Sequence, residues 1–144
     1  MTEEPLSDQV FHRFLALLRY MRQHSRQMID EQGIKPRQFS VLRFLLETGG
    51  ATVGQVQAYL HTSPSTTSSL LSQLEDMEAL TRTRSFTDNR VVIVELTPRG
   101  REIAENTPLG GYPLLRRKLA TLSQERLEQM DSVFVEIMDL VSNK

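Results

Sequence analysis

Between Ser63 and Gln73 the sequence gathers small hydrogen-bonding side chains at helical spacing: Ser63, Ser65, Thr66, Ser68, Ser69 and Gln73. A short distance on come Arg82, Arg84 and Arg90, with Asp88 two residues before the last. Hydroxyls of this kind attack nothing without a neighbouring base, and the sequence supplies none. His12, His24 and His61 are scattered, and no acidic dyad, Gly-rich phosphate loop or metal-ligand spacing accompanies them. The absence of cysteine excludes disulfides, thiolate metal sites and thiol redox sensing. No catalytic residue, metal site or cofactor is therefore expected, and the chain does not read as an enzyme. What these residues can do is recognise. A small polar helix face approaches another surface closely and offers hydrogen bonds without bulk, and guanidinium groups on a protrusion suit phosphates. An ordinary solvated Ser/Thr face is the alternative; the elements around it weigh against that.

Those elements follow from local signals. Thr52 and Gln55 form a T-x-x-Q pattern that reciprocally satisfies orphan backbone N–H groups. They open a helix of about two turns, with Val53, Val56 and Leu60 inward, ending by His61-Thr62. Ser63-Pro64 starts another at once, serine as N-cap and proline at the first helical position. Leu70, Leu74 and Met77 line its inner side, with Leu71 nearby. From Leu80 the pattern turns extended. Arg82–Phe86 and Val91–Leu96 are strand candidates rich in β-branched residues, and Thr87-Asp88-Asn89-Arg90 between them is turn chemistry. The resulting pattern over Thr52–Arg90 is a winged helix-turn-helix, with the two helices over 52–79 and the wing over 80–96.

Flanking segments supply support. Phe11, Phe14, Leu18, Met21, Ser25 and Met28 recur by threes and fours, the stripe of a long amphipathic helix over about 8–32 that ends at Gly33. Its arginines, 13, 19, 22 and 26, lie mostly off the stripe and read as a solvated face. Pro36 opens a largely buried helix with Phe39, Val41, Leu42, Leu45 and Leu46, stopped by Thr48-Gly49-Gly50. Thr97-Pro98 begins a further helix that breaks across Thr107–Pro113. The chain is helical again from about Leu114 and restarts near Ser123, with Leu119, Leu122, Leu127, Met130, Phe134, Ile137 and Val141 as a stripe. Gly49-Gly50 and Gly110-Gly111 read as helix stops.

The fold class expected is mainly α with a small β-hairpin wing, one domain over 1–144. Segments 8–32 and 98–144 are expected to dimerise, around a reading module over about 34–97. The terminal stripes carry Phe11, Phe14, Leu18, Leu127, Met130, Phe134 and Ile137. Interlocking them across a two-fold axis would bury both; the rival is that the two helices cover each other within a monomer. A dimer would set two reading helices about one DNA turn apart, roughly 34 Å, and so predicts double-stranded DNA with a near-palindromic site as partner. Apolar runs stay far below the ~20 residues of a membrane span, and the acidic start MTEEPLSDQ resembles no secretory or transit signal. The expectation is therefore a cytoplasmic protein with no membrane partner. The net charge of −1 does not itself suggest nucleic acid, so the placing of the basic residues matters more than their sum.

From Pro36 to Gly100 the sequence closely resembles the MarR family of bacterial transcription regulators. The matching pieces are PRQFSVLRFL, TVGQVQAYL, SPSTTSSLLSQLE, the D-N-R of the wing tip and the L-T-P-R-G that restarts helix; the flanking helices extend the likeness to nearly the whole chain. The resemblance implies an obligate homodimer. It would be a repressor that releases DNA when a small lipophilic or phenolic effector enters a cleft between the two domains. It also implies that Ser63–Gln73 is the major-groove helix, Arg90 the wing arginine of the minor groove, and Asp88 the residue that orients it. The sequence departs from the family at Ser69 and near Gln73, where members often carry basic residues. No Lys or Arg occurs between Arg43 and Arg82. Bidentate arginine–guanine contacts, each worth roughly 1–3 kcal/mol of discrimination, are then closed to this helix. Readout would rest on hydroxyl and amide hydrogen bonds and on groove shape. The same departure leaves open a second reading, a winged-helix protein-interaction module with weakened DNA binding.

Overall fold

The computed structural model describes residues 2–142. Met1, Asn143 and Lys144, the ends of the expected 1–144 domain, lie outside the described residues. Seven helices and three strands follow in chain order: α1 (Leu6–Gln32), α2 (Pro36–Thr48), β1 (Ala51–Thr52), α3 (Val53–Leu60), α4 (Pro64–Asp76), β2 (Leu80–Arg84), β3 (Val92–Leu96), α5 (Pro98–Asn106), α6 (Gly111–Leu119) and α7 (Gln124–Ser142). Mainly helical with a small sheet, this is the winged helix-turn-helix class expected. Among the described residues no helix is long and apolar enough to cross a membrane.

The helix ends are where local chemistry puts them. Gln55 N donates to Thr52 Oγ1 (3.1 Å) and Thr52 N to Gln55 Oε1 (2.9 Å), closing the capping box of α3. Ser63 caps α4 by accepting from Thr66 N, and Thr97 caps α5 by accepting from Gly100 N. Gly33 and Gly49 end α1 and α2 in the left-handed conformation, which glycine adopts without steric cost.

The core lies in the middle of the chain. Phe39, Val41, Leu42 and Leu45 of α2 pack with Val56 of α3, Leu71 and Leu74 of α4, Leu80 and Val94 of the sheet, and Ala104 of α5, all at most 1% exposed. The sheet order is β1-β3-β2, all antiparallel, with Ala51 opposite Val94, and Leu80 opposite Leu96 through Arg84 opposite Val92. Two differences from the sequence reading stand out. Strand β1 was not expected, and β2 runs Leu80–Arg84 rather than Arg82–Phe86, so Ser85 and Phe86 fall in the loop.

Gly110 and Gly111 do not stop a helix but start α6, three residues earlier than expected. A Cβ on Gly110 would lie 2.3 Å, and one on Gly111 2.5 Å, from atoms of the His24 imidazole. The glycines let α1 and α6 approach around that ring, whose buried Nε2 has no hydrogen-bond partner among the described residues.

Helices α1 and α7 do not cover each other, contrary to the monomer alternative. No residue of α7 is buried and it packs closely on no other element of its chain. Phe11, Phe14, Leu18 and Phe134 are exposed, while Leu127, Met130 and Ile137 are half-buried.

Candidate nucleic-acid interface

Helix α4 separates its two faces cleanly. Thr67, Leu70, Leu71 and Leu74 are buried, and Ser65, Ser68 and Ser69 are exposed. Thr67 is satisfied inside, sharing a 2.8 Å hydrogen bond with Thr62 Oγ1 and donating to Ser63 O at 3.0 Å. Ser63, besides capping, donates from Oγ to Thr66 Oγ1 at 2.9 Å and lies 3.2 Å from Ser65 Oγ. The hydroxyls of Ser68 and Ser69 have no partner among the described residues and face solvent.

Gln73 differs from the others. It is half-buried, and its Oε1 accepts from Gln38 Nε2 at 2.9 Å; Gln38 Oε1 in turn accepts from Lys35 N at 3.0 Å. Gln73 thus joins α4 to α2 rather than lying open beside Ser69. Arg82 is likewise engaged. Its guanidinium donates to both Glu75 carboxylate oxygens (3.1 and 3.4 Å) and to Ser72 Oγ (3.1 Å), pinning β2 to the C-terminal half of α4. The hydrogen bonds from Arg82 hold the Glu75 carboxyl below its ordinary value.

The wing loop between β2 and β3 is braced from within. Arg84 Nη1 donates to Asn89 O at 2.7 Å, and Ser85 N donates to Val91 O at 2.8 Å. Asp88 Oδ1 accepts from Arg90 N (3.0 Å) and Nε (3.2 Å), and these bonds pull the Asp88 carboxyl below its usual value. Arg90 keeps a side chain 91% exposed, held at the tip by Asp88 but open to a partner. The expected site residues therefore divide. Ser68 and Ser69 present free hydroxyls, Ser65 an exposed one shared with Ser63, and Arg90 an exposed guanidinium steadied by Asp88; Ser63 and Thr66 shape the start of α4, and Gln73, Arg82 and Arg84 make intramolecular contacts. The bonds of Gln38 and Glu75 were missed because no sequence pattern marks a partner on another element.

A second feature joins the reading module to the following helices. Arg37, Ser40, Tyr59, His61, Tyr112 and Arg116, with leucines between, line an open cleft of about 460 Å³. Arg116 lies with its guanidinium carbon 3.9 Å from the centroid of the Tyr59 ring and donates to Tyr59 O at 3.2 Å, while Tyr59 stacks on Phe44 with centroids 4.3 Å apart. Burial pushes the Tyr59 phenol up, with Glu47 adding to this and Arg116 and Arg43 opposing. Among the described residues no cluster of His, Asp and Glu could hold a metal ion.

A short helix, a tight turn, a second helix capped by serine and a hairpin pinned against it define a winged helix-turn-helix regulator. The family model for the transcriptional regulators SarA/Rot matches residues 23–107, more than half of the chain, and the chain belongs to that family. The Bacillus subtilis HTH-type transcriptional regulator YsmB is 24% identical over 124 residues, 86% of this chain and 85% of that protein. The HTH-type transcriptional repressor MdtR of the same organism is 26% identical over 114 residues, 79% of this chain and 74% of that one. Among solved structures, Sco3205 of Streptomyces coelicolor, a MarR family transcriptional regulator in complex with DNA, superposes with a TM-score of 0.68 at 18% identity, covering 99% of this chain and 95% of that one. That likeness is one of fold, and it is the fold the MarR resemblance implied. These relatives are transcription regulators, not enzymes, in line with the sequence reading.

Proposed function

We propose that the protein is a homodimeric DNA-binding repressor released by a small effector. The observation that carries this reading is the outer surface of α4, where Ser65, Ser68 and Ser69 are exposed beside a wing that holds Arg90 out in solvent. Ser65, Thr66, Ser68 and Ser69 meet base edges in the major groove, and Arg90, steadied by Asp88, enters the minor groove. Ser63 aligns α4 through its cap. Gln73, Arg82 and Arg84 act by holding α4 on α2, the wing on α4 and the wing loop in shape, respectively, rather than by touching DNA first. The dimer is formed by α1 and α7 through Phe11, Phe14, Leu18, Leu127, Met130, Phe134 and Ile137; the uncovered apolar face of α7 supports it. It sets the two α4 helices on successive major grooves of a near-palindromic site. A lipophilic or phenolic effector fits the cleft around Tyr59 and Tyr112, whose volume is in the range of small-molecule sites. The effector acts by preferring the dimer in which the two α4 helices are wrongly spaced.

The test is a fluorescence titration of the chain onto duplex DNA from upstream of its own gene, at two salt concentrations. Arg90→Ala is expected to weaken binding to every sequence and to flatten the salt dependence by about one unit per lost phosphate contact. An Arg90→Ala protein with the parent's affinity and slope removes the wing from the reading. The absence of Lys and Arg from residues 44–81 favours one other reading, a protein-interaction module. Failure of the parent chain to bind any duplex would favour it.

A further inference from the structure

Phe86 is 108% exposed. The other large hydrophobic side chains left exposed among the described residues lie on α1, α6 and α7, so Phe86 stands alone in the reading module. A second copy covering α1 and α7 would leave it bare. A single exposed apolar residue is ordinary on a surface, but this one is held out by its own loop. Ser85 Oγ and Thr87 Oγ1 share a 2.9 Å hydrogen bond across it, and Thr87 N donates to Ser85 Oγ at 3.2 Å. With Arg84 bound to Asn89 O and Arg90 to Asp88, the backbone on both sides of the ring is braced. A ring presented on a preorganised loop loses little freedom when it is covered.

The neighbours identify the partner. Arg84 and Arg90 flank the loop that carries Phe86, and Asp88, the loop's only acid, is already paired with Arg90. The tip therefore carries an aromatic ring between two arginines of the chain, its cationic rim, on a hairpin pinned through Arg82 to the helix with the free hydroxyls. Phosphates complement the rim, and sugar faces and base edges between them complement the ring. Apolar side chains are used this way by proteins that enter the minor groove.

We propose that Phe86 is a DNA-contacting residue of the wing, its ring lying against the sugar and base surface of the minor groove beside Arg90. This rests on the DNA-binding reading above, and the experiment separates the two. Phe86→Ala, Phe86→Trp, Arg90→Ala and the parent chain are titrated onto the upstream duplex at two salt concentrations. Phe86→Ala is expected to bind about tenfold more weakly, as loss of part of one phenyl ring's burial implies. Its salt slope should equal the parent's, because an apolar contact releases no counterions; Arg90→Ala should flatten it. The chain contains no tryptophan, so Phe86→Trp places a single reporter at the tip, and its emission should be quenched as DNA is added. Parent-like affinity in Phe86→Ala alongside a weakened Arg90→Ala, or an indole emission of the Phe86→Trp protein unmoved at saturating DNA, overturns the contact while leaving the DNA reading intact. A parent chain that binds no duplex at either salt overturns both.

Discussion

Replacing Gly100 with alanine should destabilise the protein by about 2–4 kcal/mol, although alanine is the better helix former by about 1 kcal/mol. Gly100 lies in the first turn of α5, against the corner between α4 and β2. A Cβ there would stand 1.8 Å from the Ala79 carbonyl oxygen, 2.8 Å from its carbon and 3.2 Å from its Cα. These are backbone atoms, so no rotamer change relieves the overlap. Reaching the 3.0 Å floor of real Cβ contacts means a retreat of about 1.2 Å, an overpacking strain of about 1–3 kcal/mol. The same Ala79 oxygen accepts from Thr97 N at 3.1 Å, and Thr97 Oγ1 donates to Glu78 O at 2.5 Å. Both bonds stretch with the retreat, at about 1 kcal/mol each. Less the helix propensity gained, the net is a large part of a typical stability of about 5–15 kcal/mol. With a urea slope of about 2 kcal/mol/M, the unfolding midpoint should fall by about 1–2 M. The measurement is urea denaturation followed by circular dichroism, at one protein concentration because the proposed dimerisation would enter the apparent stability. Gly54→Ala is the control. Gly54 is in α3, and its added Cβ would meet only Thr52 Oγ1 at an ordinary 3.8 Å, so that variant should gain about 0.5–1 kcal/mol. A Gly100→Ala protein as stable as the parent would refute the packing argument.

Three further outcomes are expected. Glu75 titrates below the ordinary glutamate range because Arg82 binds its ionised form. A depressed folded value adds stability that is present above the unfolded value and lost as pH falls through the folded one. The pin between β2 and α4 should therefore hold at neutral pH and release only in acid, below the ordinary glutamate range. Carboxyl-carbon NMR of the parent and Arg82→Ala checks this, and an identical Glu75 titration in both would dismiss the ion pair. In the proposed dimer, Phe134→Asp puts a charge into the α7 face and should yield a particle of the single chain's 16.5 kDa by light scattering; an undiminished dimer would move the interface elsewhere. Arg116 holds the Tyr59 phenol down against burial, so Arg116→Ala should move its ionisation to still higher pH in an ultraviolet phenolate titration. An unchanged or lower value would take the guanidinium off the ring.

What the sequence made legible was local. Thr52 with Gln55, Ser63 with Pro64 and Thr97 with Pro98 each set a helix start within four residues, and all three starts are found. The helix-turn-helix followed from them. Strand β1 was hidden because two residues carry no periodicity and its partners, Ile93 and Val94, are some forty positions away. Residue composition placed β2 two residues late, since the pairing of Leu80 with Leu96 that begins it is set by the core. In the site, the hydroxyl face of α4 and the wing arginines could be read from residue types. The engagement of Gln73 by Gln38 and of Arg82 by Glu75 could not, because it depends on how α2, α4 and β2 are stacked. Phe86 was misplaced for the same reason as β2: a strand residue gives no cause to be considered as protruding surface. Gly100 was visible as part of a motif, and only the approach of Ala79 gives it a reason.

The free hydroxyls of Ser68 and Ser69 carry a consequence for the set of sites the proposed repressor would occupy. An arginine is donor only, and so rejects a base edge that presents a donor. A hydroxyl rotates and serves as donor or acceptor, so it accommodates either orientation of a base pair at little cost. Such a helix carries little information per position, and its sites would form a loose consensus. Discrimination then passes to the width of the minor groove beneath each wing, which depends on runs of A·T pairs rather than on any one base. Across a genome the occupied sites would share spacing and flanking composition more than letters.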